Sequence, residues 1–190
     1  MSIALERRDF LKSIDCFVCN IQEAGILFAD DYSHKSIPEL EEILAKKVSA
    51  AQIPSMIVTL GGDGAVYADM HGDKGWCPAR KVEVKDTTGA GDIFGGSAVW
   101  KLLQSGKDPE NLTEDELREI TRFACTAAGL STTKPGGIPS VPSYQEVLAR
   151  MEAQADAEKF ARREIRRDTF TVSGCMMRIQ RRLRRGNVRF

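Results

Sequence analysis

Strands alternating with helices predict an α/β sandwich, and three observations carry that reading. Two short apolar runs, residues 14–18 and 56–60, have strand rather than helix length and end in turn-forming residues. Helix-length segments that open on a capping residue begin at Ser36, Thr113 and Ser143. Glycine clusters stand where one element hands over to the next, at Gly61-Gly62-Asp63-Gly64 and at Gly89-Ala90-Gly91.

Taken in order, Ile14 to Val18 reads as a core strand, and Asn20-Ile21-Gln22-Glu23-Ala24 opens the loop or helix after it. From Ser36, the stretch SIPELEEILAKKVSA has a serine cap, a proline two residues on, early acids and late lysines, all marks of an amphipathic helix. Met56 to Leu60 is a compact strand, and Ala65 to Ala68 its hairpin partner across the glycine turn. Val82-Glu83-Val84 alternates as a half-buried strand, followed by Asp86-Thr87-Thr88-Gly89-Ala90-Gly91-Asp92 and an apolar helix from Ile93 to Leu103. A helix from Thr113 to about Thr132 begins on TEDE, a cap with acids in the first turn. A loop follows at Lys134 to Pro139, and Ser143 caps a last helix that runs to about Ala153. The expected architecture has helices on both faces of a mostly parallel sheet.

The chain has 190 residues, enough for one domain with a core. Its 42% hydrophobic and 28% charged residues exclude a disordered or collagen-like chain. No run is apolar for the length of a bilayer, and the N-terminal MSIALERRDFLKSID carries charges where a signal peptide needs apolar residues, so a cytoplasmic location without membrane contact is expected. Five cysteines at irregular spacing predict reduced thiols. The Cys16-x-x-Cys19 pair lies in an apolar strand, where positions three apart face opposite ways, so no metal is expected there.

A zero formal charge hides an asymmetry: residues 1–150 carry 16 basic and 22 acidic side chains, residues 151–190 carry 11 and 5. The division expected is a folded body, 1–153, and a basic tail, 154–190. Such a tail can bind nucleic acid, but a solvated terminus is the commoner outcome, and nucleic acid is not the expected partner. His34 and His71 read as surface residues.

The strongest chemical signal is Asp86-Thr87-Thr88-Gly89-Ala90-Gly91-Asp92. Three small residues at a helix start leave backbone N–H groups open toward an anion, which the helix dipole also favours. A carboxylate in that turn works against plain phosphate binding, because like charges repel. It makes sense if Asp92 accepts a proton from a hydroxyl attacking a phosphoryl group. No Gly-Lys-Ser/Thr closes the motif, so it is no Walker A loop. Gly89, Gly91 and Gly95 loosely imitate a dinucleotide fingerprint, but the acid that should follow falls in the helical TEDELREI stretch. On the residues alone, a helix N-cap with packing glycines stays open, as do hairpin roles for Gly61 and Gly64 and a cap with a solvated acid for Asn20 and Glu23.

DTTGAGDIFGGSAV closely resembles the C-terminal signature of the PfkB (ribokinase) family of carbohydrate kinases. Asn20-x-x-Glu23 is similar to the family's magnesium- and phosphate-arranging motif, Thr59-Leu60-Gly61-Gly62-Asp63-Gly64 to its ATP-binding segment, and Phe123 to Ala128 to its adenine-lining helix. The resemblance implies a partial ribokinase-like three-layer α/β/α sandwich that lacks the N-terminal half and the lid. It implies ATP, Mg2+ and a monovalent cation such as K+, with transfer to a small sugar. Asp92 is implied as the base and Gly89, Ala90 and Gly91 as the anion hole. Asn20, Glu23, Thr59, Gly61, Gly64, Gly91 and Cys125 are implied at the nucleotide, Cys125 standing where many members have asparagine. Asp86, Thr88, Ser131, Lys134, Gly136 and Ser140 match the cation loop, most of them through backbone carbonyls. Lys134 to Pro139 is more like fructokinases than like ribokinases. The missing half normally supplies sugar-binding residues, so the chain alone is expected to be inactive, completed by another chain or self-associated through its open sheet edge. A nucleotide-binding module without transfer activity is one alternative, and a basic-tailed interaction protein that binds nucleic acid through residues 151–190 is the other.

Overall fold

A computed structural model describes residues 13–153. The chain divides into two compact units, residues 1–147 and 148–190. Of the second, the described residues 148–153 are helical, and the basic tail lies outside the described residues.

Four strands form one sheet in the order β1 (Cys16–Asn20), β2 (Ser55–Thr59), β3 (Ala65–Asp69) and β4 (Lys74–Cys77). β1 and β2 are parallel, with Val18 opposite Ile57. β2 with β3 and β3 with β4 are antiparallel. The expectation of a mostly parallel sheet is therefore corrected to a mixed one. The physical reason is the connections: α1 (Ile21–Phe28) and α2 (Ile37–Ala51) carry the chain from β1 back to β2, whereas the short turns after β2 and β3 can only reverse it.

Helices cover both faces, as expected. β2 is buried on both sides and splits its side chains accordingly. Met56 and Val58 pack with Leu40, Leu44 and Val48 of α2 and Ala24 and Leu27 of α1. Ile57 packs on the other face with Phe94 and Ala98 of α3 (Ala90–Ser105) and Leu117, Ile120 and Ala124 of α4 (Glu114–Ser131). Phe17 and Cys19 of β1 belong to the first cluster and Val18 to the second, so the CxxC spacing is that of a strand crossing the sheet plane. Among the described residues no group of three or more His, Cys, Asp or Glu side chains could hold a metal ion, and no helix is long and apolar enough to cross a membrane.

The helix starts other than that of α3 share one device. At α1, Asn20 Oδ1 accepts the Glu23 N–H at 2.8 Å while Glu23 Oε2 accepts the Asn20 N–H at 2.8 Å. Thr113 and Glu116 do the same at α4, and Ser143 and Glu146 at the helix that begins at residue 144. At α2, Glu39 accepts from the Ser36 N–H at 2.9 Å. Each satisfies N–H groups that a helix start leaves over.

Two expectations about strands are corrected. Val82 to Val84 is not a strand: Val84 is 57% exposed, and the N–H groups of Lys85 and Asp86 next to it donate to the Thr132 carbonyl at the end of α4 instead of to a neighbouring strand. The fourth strand is Lys74–Cys77, a stretch whose lysine, glycine and tryptophan gave no strand signal. Its glycine is required by packing, because a Cβ at Gly75 would stand 2.3 Å from the Tyr67 hydroxyl.

Candidate active site

The end of β1, the turn after β2 and the start of α3 meet at one place. There a cleft of about 490 Å³ is lined by Asn20, Glu23, Thr59, Thr87, Gly89, Ala90, Gly91 and Asp92, among others. A second cleft, of about 270 Å³, shares Thr59, Thr87, Ala90 and Gly91 with the first. It runs on between the glycine turn, Gly61, Gly62 and Gly64, and the α4 wall of Cys125, Ala128 and Gly129. Residues assigned from four separate motifs thus surround two adjoining clefts.

The local geometry explains the glycines. Gly89 caps α3 in the left-handed region, φ 77°, and a Cβ there would approach the Gly137 Cα to 3.3 Å. The turn lets α3 start with Ala90, Gly91 and Asp92 in its first turn, all bordering the 490 Å³ cleft. Nothing lies within 4 Å of the position a Gly91 Cβ would take. A helix start bare of side chains is a receptor for an anion. Gly64, at φ 99°, is fixed more tightly: a Cβ would stand 2.0 Å from the Cys77 carbonyl oxygen.

Asp92 is exposed and borders two cavities, the 490 Å³ cleft and an apolar groove of about 760 Å³ along α3. Asn20 and Glu23 realise the cap that the residues left open, with Glu23 closing it rather than standing as a solvated acid. They form the α1 capping box, and they stand in the wall of the cleft that holds Asp92.

Cys125 is buried, and its thiol lies 3.7 Å from the Cys77 carbonyl as donor. Burial pushes that thiol up to about 12, so it is a neutral, apolar lining group at physiological pH. Burial likewise pushes Cys19 to about 12 and Cys77 to about 11.

Of the residues matched to a cation loop, three are joined directly. Asp86 Oδ1 accepts the Thr88 N–H at 2.9 Å and Oδ2 accepts the Gly136 N–H at 2.8 Å, tying the loop before α3 to the loop after α4. The Thr88 side chain and these two N–H groups hold the Asp86 carboxyl down to about 2. Ser131 and Ser140 are buried and donate to the carbonyls of Ala128 and Gly137. Lys134 points its ammonium at Glu146, 3.1 Å away.

Sequence reasoning missed part of the cleft wall. Arg80, Val82, Val84, Phe94 and Thr132 all line the narrower cavity. Val82 and Val84 do so because they are not in a strand. Only the apolar alternation of 82–84 was visible beforehand, and it pointed to the wrong element.

Comparison with known proteins bears on the family and the fold. The family described as pfkB family carbohydrate kinase matches residues 3–144. Fructokinase-1 of Zea mays is 37% identical over 119 residues, covering 61% of this chain and 35% of that protein. The solved ribokinase of Giardia lamblia superimposes with a TM-score of 0.66 at 28% identity, covering 77% of this chain and 46% of that one. The Arabidopsis thaliana ribokinase complexed with ribose and ATP gives a TM-score of 0.60 at 26% identity, covering 75% and 42%. The fold is ribokinase-like. The chain spans about a third of the length of the curated fructokinases it matches and under half of these solved chains.

Proposed function

Because the chain belongs to the pfkB family of carbohydrate kinases, we propose that it forms the nucleotide-binding and proton-accepting part of an ATP-dependent sugar kinase, with fructose as the acceptor. The observation that carries this is the pair of adjoining clefts. One is lined by the glycine turn and α4, the other by Asp92 and the Gly89–Gly91 helix start, and they share Thr59, Thr87, Ala90 and Gly91. A nucleoside triphosphate extended along them would place its base by Cys125 and Ala128 and its terminal phosphate at the start of α3. The similarity to plant fructokinases supports fructose over ribose.

The reaction follows from the placement. The acceptor hydroxyl oxygen forms a bond to the γ-phosphorus as the bond from that phosphorus to the bridging oxygen of the leaving ADP breaks, and the hydroxyl proton passes to the Asp92 carboxylate. The N–H groups of the α3 start receive charge developing on the transferred group. Magnesium bound to the nucleotide would offset the phosphates' charge. With no protein cluster of three ligating side chains among the described residues, the phosphates themselves would hold most of that ion, with Glu23 as the carboxylate at hand. Asp86, Thr88 and Gly136, with backbone carbonyls of the Ser131, Lys134 and Ser140 segment, would form the monovalent-cation loop behind the anion site.

A second reading rests on the chain's share of its relatives' length: a nucleotide-binding module without transfer. One measurement tests both together and a second separates them. Titration calorimetry with MgATP should detect binding in either case, and no binding at millimolar ATP would defeat both. A chimera in which residues 13–150 replace the matching stretch of a full-length fructokinase should phosphorylate fructose, and a folded, ATP-binding but inactive chimera would leave the module reading.

A further inference from the structure

The turn that carries Gly61, Gly62 and Gly64 is closed internally by three backbone hydrogen bonds. The Leu60 N–H donates to Gly64 at 2.7 Å, Asp63 to Leu60 at 3.2 Å and Gly64 to Gly61 at 3.2 Å. A fourth bond reaches it from outside. The indole Nε1–H of Trp76 donates to the Asp63 carbonyl oxygen at 2.7 Å, the donor 13 residues further along the chain.

Trp76 sits on the edge strand β4 opposite Val66 and is 40% exposed. Burial alone does not account for so large an apolar side chain there, whereas its single polar atom is aimed at one peptide group. That carbonyl belongs to the peptide joining Asp63 to Gly64. Fixing this plane fixes the left-handed Gly64 that follows, and with it the side of the turn that faces the 270 Å³ cleft. Trp76 is not among the residues that line that cleft.

We propose that Trp76 is a positioning residue for the nucleotide, holding the glycine turn in its binding geometry through the Asp63 carbonyl. This rests on the reading of that cleft as the ATP site. Because the indole is half in solvent, its emission should also report what happens to the turn.

The test uses the 190-residue chain itself, with MgATP as the probe. Titration calorimetry on the parent comes first, and absence of binding there overturns the nucleotide reading together with this one. If the parent binds, Trp76→Phe, which keeps a ring and removes the donor, should weaken MgATP roughly two- to tenfold, the value of one net hydrogen bond, with the parent's Tm retained. The chain has two tryptophans. In Trp100→Phe the remaining emission is that of Trp76, and it should shift on MgATP addition. Parent-like affinity in Trp76→Phe overturns the proposal while leaving the nucleotide site standing. So does a loss of affinity matched by a fall in Tm, or an emission in Trp100→Phe that MgATP does not move.

Discussion

If the proposed reading holds, Asp92 is the proton acceptor, and its place at the mouth of α3 sets what its replacement should do. Asparagine has nearly the same shape, keeps the first-turn packing and removes the basicity. In the fructokinase chimera, Asp92→Asn should lower fructose phosphorylation by ~10²–10⁴-fold or more, the usual contribution of a general base. MgATP affinity should stay level or rise, because one negative charge near the phosphates is gone. Steady-state turnover and calorimetry on the same preparations check both halves, and near-parent turnover would remove Asp92 from the role. At this scale the sequence was most legible where backbone geometry restricts residue choice. A left-handed helix start tolerates Gly89, and the hairpin tolerates only glycine at position 64, where β4 passes too close for a Cβ. Gly64→Ala should accordingly destabilise the fold by more than ~1 kcal/mol, read as a lower midpoint in urea unfolding. Trp76 and Arg80 were illegible, since their relation to the turn and the cleft depends on a strand register that no local pattern announced.

The elements were legible in proportion to how far local rules decide them. Helix starts did best, because Asn20, Ser36, Thr113 and Ser143 each stand three residues before a glutamate that closes the cap. Strand pairing did worst. Val82 to Val84 has the alternation of a strand but no strand beside it, and its neighbours spend their N–H groups on Thr132. The caps have a consequence for acid stability. Glu116 is held to about 2 by Lys107 and the Thr113 groups, Glu146 to about 2 by Ser143 and Lys134, and Asp86 to about 2 by Thr88 and Gly136, against ordinary values of 4.5, 4.5 and 3.8. Each carboxyl is depressed in the folded state, so each contributes stability that is complete above its unfolded value and is lost as pH falls from there toward 2. Tm by circular dichroism should hold down to about pH 5 and then drop toward pH 2. Glu116→Gln should lower Tm at neutral pH and make the acid drop shallower. An unchanged drop would show that the α4 cap does not contribute to it.

At the scale of the whole fold, the decisive fact among the described residues is the open edge of the sheet at β1. β1 pairs with β2 along one edge, and among the described strands nothing pairs with its other edge. Gly95 of α3 joins β1 residues in the cleft wall, and one and two turns further along that helix face stand Val99, 49% exposed, and Leu103, 72% exposed. Trp100, at 40%, continues the apolar surface into the 760 Å³ groove, where it stacks on Phe123 at a centroid distance of 5.6 Å and meets Tyr144 at a tilt at 5.1 Å. An unpaired strand edge and an exposed apolar helix face are each a surface that another polypeptide can cover. That the chain matches only part of its relatives' length was legible in the sequence, because the family's later motifs occur in order, but which faces of the described fold stand open was not, since that depends on where α3 lies against β1. The isolated chain should therefore self-associate. Light scattering after size exclusion at roughly 10–100 μM should give a mass above 21.0 kDa that falls toward the monomer on dilution. The pair Val99→Lys and Leu103→Glu, both pointing away from the two buried clusters, should restore the monomer without lowering Tm. If the double variant keeps the parent's mass, association runs through some other surface. If the parent is monomeric at these concentrations, the open flank is not adhesive, and recruitment of a complementing chain would have to draw on directional contacts at the β1 edge.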